Sequence, residues 1–501
     1  MTLHSPLPRA ATFGLVAAIL ALGLALRAWN LGGESLWLDE AHSIVQGRRW
    51  WRTLWGPNAV HEPSPPLYFT VLHIWLRVFG ESEAIARALS ALFGMATILV
   101  VFVLGGIAGG TRVAVAAAAL AATSPMLVIY SRETRGYALA ILAAAICLCG
   151  ALTVLSRLAP ASKSAGWPLR RSAATTTLAW VAYVSGAIVA VYTHNTLVLL
   201  PVVASIAALI LWTTAPHLDW TFATRWLLAN AAILAAYLPW VPKVLGGDVA
   251  AGSFWVPSLS AGEAFAVTRS VYGQAYAAAI QPWFDIALAA LAVVGVAALR
   301  RAPAATLFCA VLVLVPLLTY LVSLYRPIFI PRVLLWPLPI LAVVIAAGAL
   351  SVPSKAAAAA VGTLVVGQLI GVGDPRATTK QEPWREVAER IAAERRPGDA
   401  ILLAPSYAGM PFEFYTGPDR DVLTIEMRGP VQRNPLWSYD VIAPTDLPAR
   451  VADRQRVWLV TRVEPVDLGV DGLAPRVAGA FTLIESRVAK DLKLFLFARQ
   501  P

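Results

Sequence analysis

Residues 11–40 read ATFGLVAAILALGLALRAWNLGGESLWLDE. The apolar run from about Ala11 to Trp29 is long enough to cross a bilayer at ~1.5 Å per residue. It exceeds a signal-peptide core and lacks a clear small-x-small cleavage site, so it reads as a retained span. Directly after it stand two adjacent carboxylates, Asp39 and Glu40, within Leu36-Trp37-Leu38-Asp39-Glu40. A charge costs roughly 2.5–3.5 kcal/mol at mid-membrane and less towards the surface. An acidic pair at the mouth of a helix bundle is therefore a candidate site by default.

Composition extends that reading to the whole chain. Of 501 residues, 58% are hydrophobic and 14% charged, against about 25% charged in soluble proteins. This is the profile of a polytopic membrane protein. The net charge of +11 does not indicate a nucleic-acid partner, because the basic residues lie between apolar spans, as positive-inside topology requires. Cys147, Cys149 and Cys309 all fall inside apolar runs and imply no disulfide framework.

Ten further stretches are long enough to span: about 84–106, 113–130, 137–156, 176–193, 195–215, 226–241, 282–299, 303–324, 333–350 and 356–373. Residues 66–79 (PLYFTVLHIWLRVF) are too short and read as an interfacial amphipathic helix. Charge settles the count. With the N-terminus cytoplasmic and residues 66–79 on the outer surface, the inner segments hold Arg9, Arg112, Arg157, Lys163, Arg170, Arg171, Arg225, Arg300, Arg301 and Lys355 against the single acid Asp219. Making residues 66–79 a span inverts everything after it and places Arg170–Arg171 and Arg300–Arg301 outside. The expectation is about eleven transmembrane helices over residues 1–373, with a first outer loop at 30–83. Residues 374–501 are charged and Pro-punctuated. A helix at Glu382–Arg396 and strands at 400–404, 456–461, 480–485 and 492–498 predict a small α/β domain on the outer side.

Chemistry-bearing residues gather at that face. The first outer loop holds Asp39, Glu40, His42, Arg48, Arg49, Arg52, His61 and Glu62, with Trp37, Trp50, Trp51 and Trp55 among them. The second is Ser131-Arg132-Glu133-Thr134-Arg135-Gly136-Tyr137. His194-Asn195, Lys243, Arg326 and Arg332 follow. Carboxylates and arginines on one membrane face suit a reaction between an anionic lipid headgroup and a second substrate. Arginine's planar fork fits a lipid phosphate, and Arg135, Arg326 and Arg332 are the leading cations, with His194 and Lys243 behind them. Structural readings stand beside these. Glu133 either orients a substrate or pairs with Arg132 or Arg135, His194 either caps a helix break or contacts a headgroup, and Tyr68 and Tyr137 either pack or touch substrate. The candidate acids of the outer membrane loops form no DxD pair and no His/Cys cluster, so a divalent metal is possible but not indicated.

The order LWLDE, EPSPPLYFTVLHIW, GESEAIARALSALFG and SPMLVIYSRETRGYAL resembles the GT-C glycosyltransferases of the protein-mannosyltransferase type. The bacterial branch that includes the lipid A aminoarabinose transferase is the most similar, and PRVLLWPLPIL and WREVAERIAAERRPGDAILL also fit it. The resemblance implies a GT-C fold in a bacterial inner membrane. The enzyme would take a sugar from a polyprenyl-phosphate carrier and pass it, with inversion, to a lipid, glycan or protein acceptor on the periplasmic face. It implies Asp39 as the base on the acceptor hydroxyl, with Glu40 or Glu133 orienting it. Many members carry His or Lys before the paired prolines, where this chain has Ser64; His61 and Glu62, just upstream, are the alternatives for that acceptor contact, with Tyr68 and Tyr137. No cofactor is required by this scheme. The rival class is a lipid or sugar transporter or flippase, which places charges near the bilayer midplane. Here the spans are almost free of charge.

Overall fold

Nine helices among the described residues are long and apolar enough to cross a membrane. They are Arg9–Ala28, Glu83–Gly109, Tyr137–Leu155, Ala173–Val191, Asn195–Thr213, Trp220–Leu245, Gln281–Leu299, Pro303–Tyr325 and Lys355–Gly373. The computed structural model describes residues 7–56, 64–158, 172–245, 256–273, 281–299, 303–373, 382–427, 431, 436–462, 472–479 and 481–499.

Two expected spans take a different form. The stretch 113–130 breaks into helices Thr111–Thr123 and Pro125–Ser131, bent by 58°. Pro125 has no N–H to continue the ladder, and the Ser124 hydroxyl instead accepts from Leu127 N at 3.4 Å. The stretch 333–350 becomes a 3-10 turn, Pro331–Leu334, followed by a helix of 12 residues, Leu338–Ala349. At about 18 Å that helix is shorter than a bilayer core, and every residue of it is buried. Pro331, Pro337 and Pro339 punctuate the run and account for the difference. Small residues let this buried helix meet Gln281–Leu299 closely: a Cβ at Gly295 would overlap the Val344 carbonyl, and one at Gly348 the Leu291 carbonyl. Residues 66–79 form the short apolar helix Leu67–Phe79, as expected.

The chain divides into two compact units. The first comprises Met1–Trp29, Arg52–Val71 and Arg87–Ala377; the second comprises Asn30–Trp51, Leu72–Ala86 and Thr378–Pro501. The second unit thus joins much of the first loop to the C-terminal segment. Its helix Trp384–Glu394 buries Trp384, Val387, Ala388 and Ile391, the spacing of a single apolar face. Six strands follow: β1 (Ala400–Ala404), β2 (Val422–Ile425), β3 (Asp440–Ile442), β4 (Arg456–Arg462), β5 (Phe481–Ala489) and β6 (Leu492–Arg499). They form one sheet of order β3-β2-β1-β4-β6-β5. The β3-β2-β1-β4 half is parallel, and β6 and β5 add antiparallel strands. All five residues of β1 are buried, as a central parallel strand requires. The order reverses between β1 and β4, so the carboxyl ends of these strands flank a topological switch point.

Candidate functional site

In the first unit, the break at Ser124–Pro125 redirects the chain into Pro125–Ser131 and then the loop 132–136. Glu133 and Thr134 are buried there, while Arg135 and Gly136 are half-buried. The Arg135 guanidinium stands 5.8 Å from the Tyr137 ring centroid, and that ring lies 5.9 Å from His194. Beneath the loop, the Tyr68 hydroxyl is 3.3 Å from Ser90 Oγ, which donates to the Arg135 carbonyl at 3.3 Å. Tyr68 and Tyr137 are both buried beside this loop.

His194 connects the loop to the late basic residues. Burial holds its pKa down at about 4, and the positive charges of Arg332 and Arg135 push the same way. Arg135 and Arg332 thus both act electrostatically on one half-buried imidazole and disfavour its protonation. His194 Nδ1 accepts from Thr196 N at 3.3 Å and caps the turn Asn195–Val198. With Nδ1 engaged by Thr196, its Nε2 is the ring nitrogen left to face a ligand.

Lys243 and Arg326 have backbone partners instead. Lys243 Nζ donates to the Gly56 carbonyl at 2.7 Å and lies 4.9 Å above the Trp240 ring. Arg326 Nη1 donates to the Val244 carbonyl at 3.1 Å. Both tie segments of the first unit together.

The sequence missed one residue of this unit. Arg27, at the end of the first span, is only 1% exposed. It donates to the Ala122 carbonyl at 2.9 Å and the Ala121 carbonyl at 3.3 Å, the end of the helix that Pro125 interrupts. An arginine inside an apolar span was the available signal.

Asp39 and Glu40 belong to the second unit, in the first turn of helix Leu38–Arg48. A negative charge is favourable there, because the first N–H groups of a helix are unpaired and its dipole is positive. Asp39 is half-buried and Glu40 is 1% exposed. Further along, Arg48 pairs with Glu81 at 2.8 Å. His73 Nδ1 lies 2.8 Å from the Gly47 carbonyl and edge-on to Trp50, a packing role. A cavity of about 230 Å³ is lined by Val45, Arg48, Arg49, Met410, Glu413 and Leu436. His61 and Glu62 lie outside the described residues. Among the described residues, no three His, Cys, Asp or Glu side chains group as metal ligands.

Apolar helices with broken segments, followed along the chain by a small mixed sheet, make up a fold of the GT-C type. No protein-family model and no curated protein matches the sequence, but solved structures do. ArnT from Cupriavidus metallidurans in the apo state superposes with a TM-score of 0.61 at 15% identity, covering 97% of this chain and 98% of that one. The same protein bound to undecaprenyl phosphate gives 0.62 at 14% identity over the same shares. The Archaeoglobus fulgidus oligosaccharyltransferase in complex with Zn and sulfate gives 0.53 at 12% identity, covering 97% of this chain and 73% of that one. At such identities the likeness is one of fold.

Proposed function

We propose that this chain is a membrane glycosyltransferase. It moves a hexosyl or pentosyl group from a polyprenyl-phosphate carrier to a glycolipid, glycan or protein acceptor at the periplasmic face of a bacterial inner membrane. The observation that carries this reading is the cationic surroundings of His194: Tyr137 packs against it with Arg135 beside that ring, and Arg332 acts on it electrostatically. It occurs in a fold that, in ArnT, has been solved with undecaprenyl phosphate bound.

In this reading Asp39 takes the proton of the acceptor hydroxyl as its oxygen attacks the anomeric carbon. The bond from that carbon to the carrier phosphate breaks from the opposite side, inverting the centre. The electron pair leaves with the phosphate, whose growing charge Arg135 and Arg332 neutralise. Glu133 and Glu40, both buried, act by orientation. A monophosphate leaving group suits two arginines, because it carries less charge than a diphosphate.

The test is undecaprenyl phosphate binding by the purified full chain in nanodiscs. A charge-assisted hydrogen bond contributes about 1.5–3 kcal/mol, so Arg135→Ala and Arg332→Ala should each weaken binding at least tenfold. Undiminished binding in both variants overturns the assignment. Mass spectrometry of envelope glycolipids and glycoproteins from a deletion strain then identifies the missing product.

A further inference from the structure

Helix Leu38–Arg48 starts without a local cap. Trp37 occupies the N-cap position and makes no side-chain cap hydrogen bond, although the first N–H groups of any helix need partners. The preceding residues 30–37 have neither helix nor ladder to satisfy their backbone. Their partners come from far along the chain, within the second unit. Glu382 Oε2 accepts from Leu38 N at 3.1 Å, across 344 residues. The Tyr415 hydroxyl accepts from Leu36 N at 2.7 Å. Arg385 donates to the Gly32 carbonyl at 2.9 Å and the Gly33 carbonyl at 3.4 Å, and its backbone N–H donates to Ser35 Oγ at 3.3 Å.

Each gripping residue is itself held. Glu382, only 4% exposed, receives Arg462 Nη2 at 2.7 Å and Trp384 Nε1 at 2.8 Å. Arg385 Nε donates to Glu83 at 3.1 Å, and the Tyr415 hydroxyl donates to the same carboxylate at 3.0 Å. Arg462 sits at the carboxyl end of β4, beside the switch point of the sheet. A buried carboxylate aimed at a helix N-terminus is a cap with a favourable dipole contribution, and a network of ion pairs behind it fixes its place.

We propose that Glu382, Arg385 and Tyr415 are positioning residues for Asp39. The C-terminal segment sets the start and direction of the helix whose first turn carries the carboxylate. The inference rests on the reading of Asp39 as the base. It adds that residues 374–501 act on the chemical step through geometry. Displacing a reacting group by about 1 Å can cost 10²-fold in rate.

The experiment uses the full chain. Tyr415→Phe removes one acceptor with almost no change of shape. Glu382→Gln keeps one oxygen and puts an amide where two donors converge. Both should lower kcat at least tenfold, leave undecaprenyl phosphate binding unchanged and speed amide hydrogen exchange across residues 32–40. The control is Arg395→Ala, which breaks the Asp419 and Asp421 pairs elsewhere in the same unit; it should lower thermal stability and leave kcat unchanged. The proposal is overturned if exchange at 32–40 is unaltered, if exchange rises with wild-type kcat, or if Arg395→Ala lowers kcat as much. Failure of the underlying reading is separate: it would appear as an Asp39→Asn chain that transfers at the wild-type rate.

Discussion

Arg27→Met should destabilise the membrane unit and loosen the loop that carries Arg135. In an unbroken helix the Ala121 carbonyl would accept from the N–H of residue 125, but residue 125 is proline. The bend leaves Ala121 and Ala122 carbonyls at the end of Thr111–Thr123, and the Arg27 fork takes both, at 3.3 and 2.9 Å. Its bond to Gly23 O, at 3.2 Å, lies within its own helix. An unsatisfied buried acceptor costs about 1–3 kcal/mol, so two give about 2–6 kcal/mol gross. Removing a buried cation relieves part of its desolvation cost, and methionine packs well against Gly23, Gly94 and Ser131, leaving a net loss of about 2–4 kcal/mol.

Thermal unfolding of the purified chain in nanodiscs measures this, with undecaprenyl phosphate binding as a second readout. The discriminating variant is Pro125→Ala, which gives residue 125 an N–H that Ala121 O can accept. In that background Arg27→Met should cost measurably less, and a double-mutant cycle isolates the coupling. Additive losses, or an Arg27→Met chain with unchanged melting and binding, would refute the view that this cation caps the break.

Asp39→Asn keeps the shape and removes the basicity, so transfer should fall by about 10²–10⁴-fold while donor binding survives. Near wild-type transfer by a folded variant moves the base to Glu40 or Glu133. His194 has a folded-state pKa of about 4, below its ordinary 6.5. Its neutrality therefore contributes stability that is complete above about pH 6.5 and lost as pH falls towards 4. His194→Gln should flatten that acid limb of a pH–stability curve, and wild-type donor binding should show no histidine titration between pH 5.5 and 8. Cysteines at Gly80 and Gly110, which bracket the span Glu83–Gly109, should label from opposite sides, Gly80 from outside. Labelling of both from one side would refute that span.

The membrane helices were legible because an apolar run of about 20 residues has few other uses. Strand β1 was read to its ends, since a buried parallel strand is a short apolar run between turn signals. Strands β2 and β3, with 4 and 3 residues, carry too little pattern to be seen. Among the site residues, Arg135 and Arg332 were visible as arginines near apolar boundaries, whereas their common electrostatic effect on His194 depends on tertiary packing. The basic character of Lys243 and Arg326 was visible too, but not their backbone partners. The short helix Leu338–Ala349 was read as a span because hydropathy averages over the prolines that break it.

The unread supports of the candidate site residues share one cause. Irregular backbone inside a membrane protein survives only where its polar groups find partners, and here three such stretches lead to candidate site residues. The break at Ser124–Pro125 precedes Glu133 and Arg135 and is held by Arg27. The extended stretch before Arg332 is held by Ser323, whose hydroxyl accepts from Ile328 N at 3.0 Å and Phe329 N at 3.2 Å. The segment before Asp39 is held by Glu382, Arg385 and Tyr415. Regular helices can present side chains only at fixed intervals along their own axes. A break lets the chain aim a short loop, and the cost of the break falls on a side chain elsewhere. That is why the partners of these breaks carry no motif: Arg27 stands 95 residues from one carbonyl it satisfies, and Glu382 stands 344 from the amide it caps. Substitutions at such partners should therefore disturb the chemistry while leaving every residue that touches substrate unchanged.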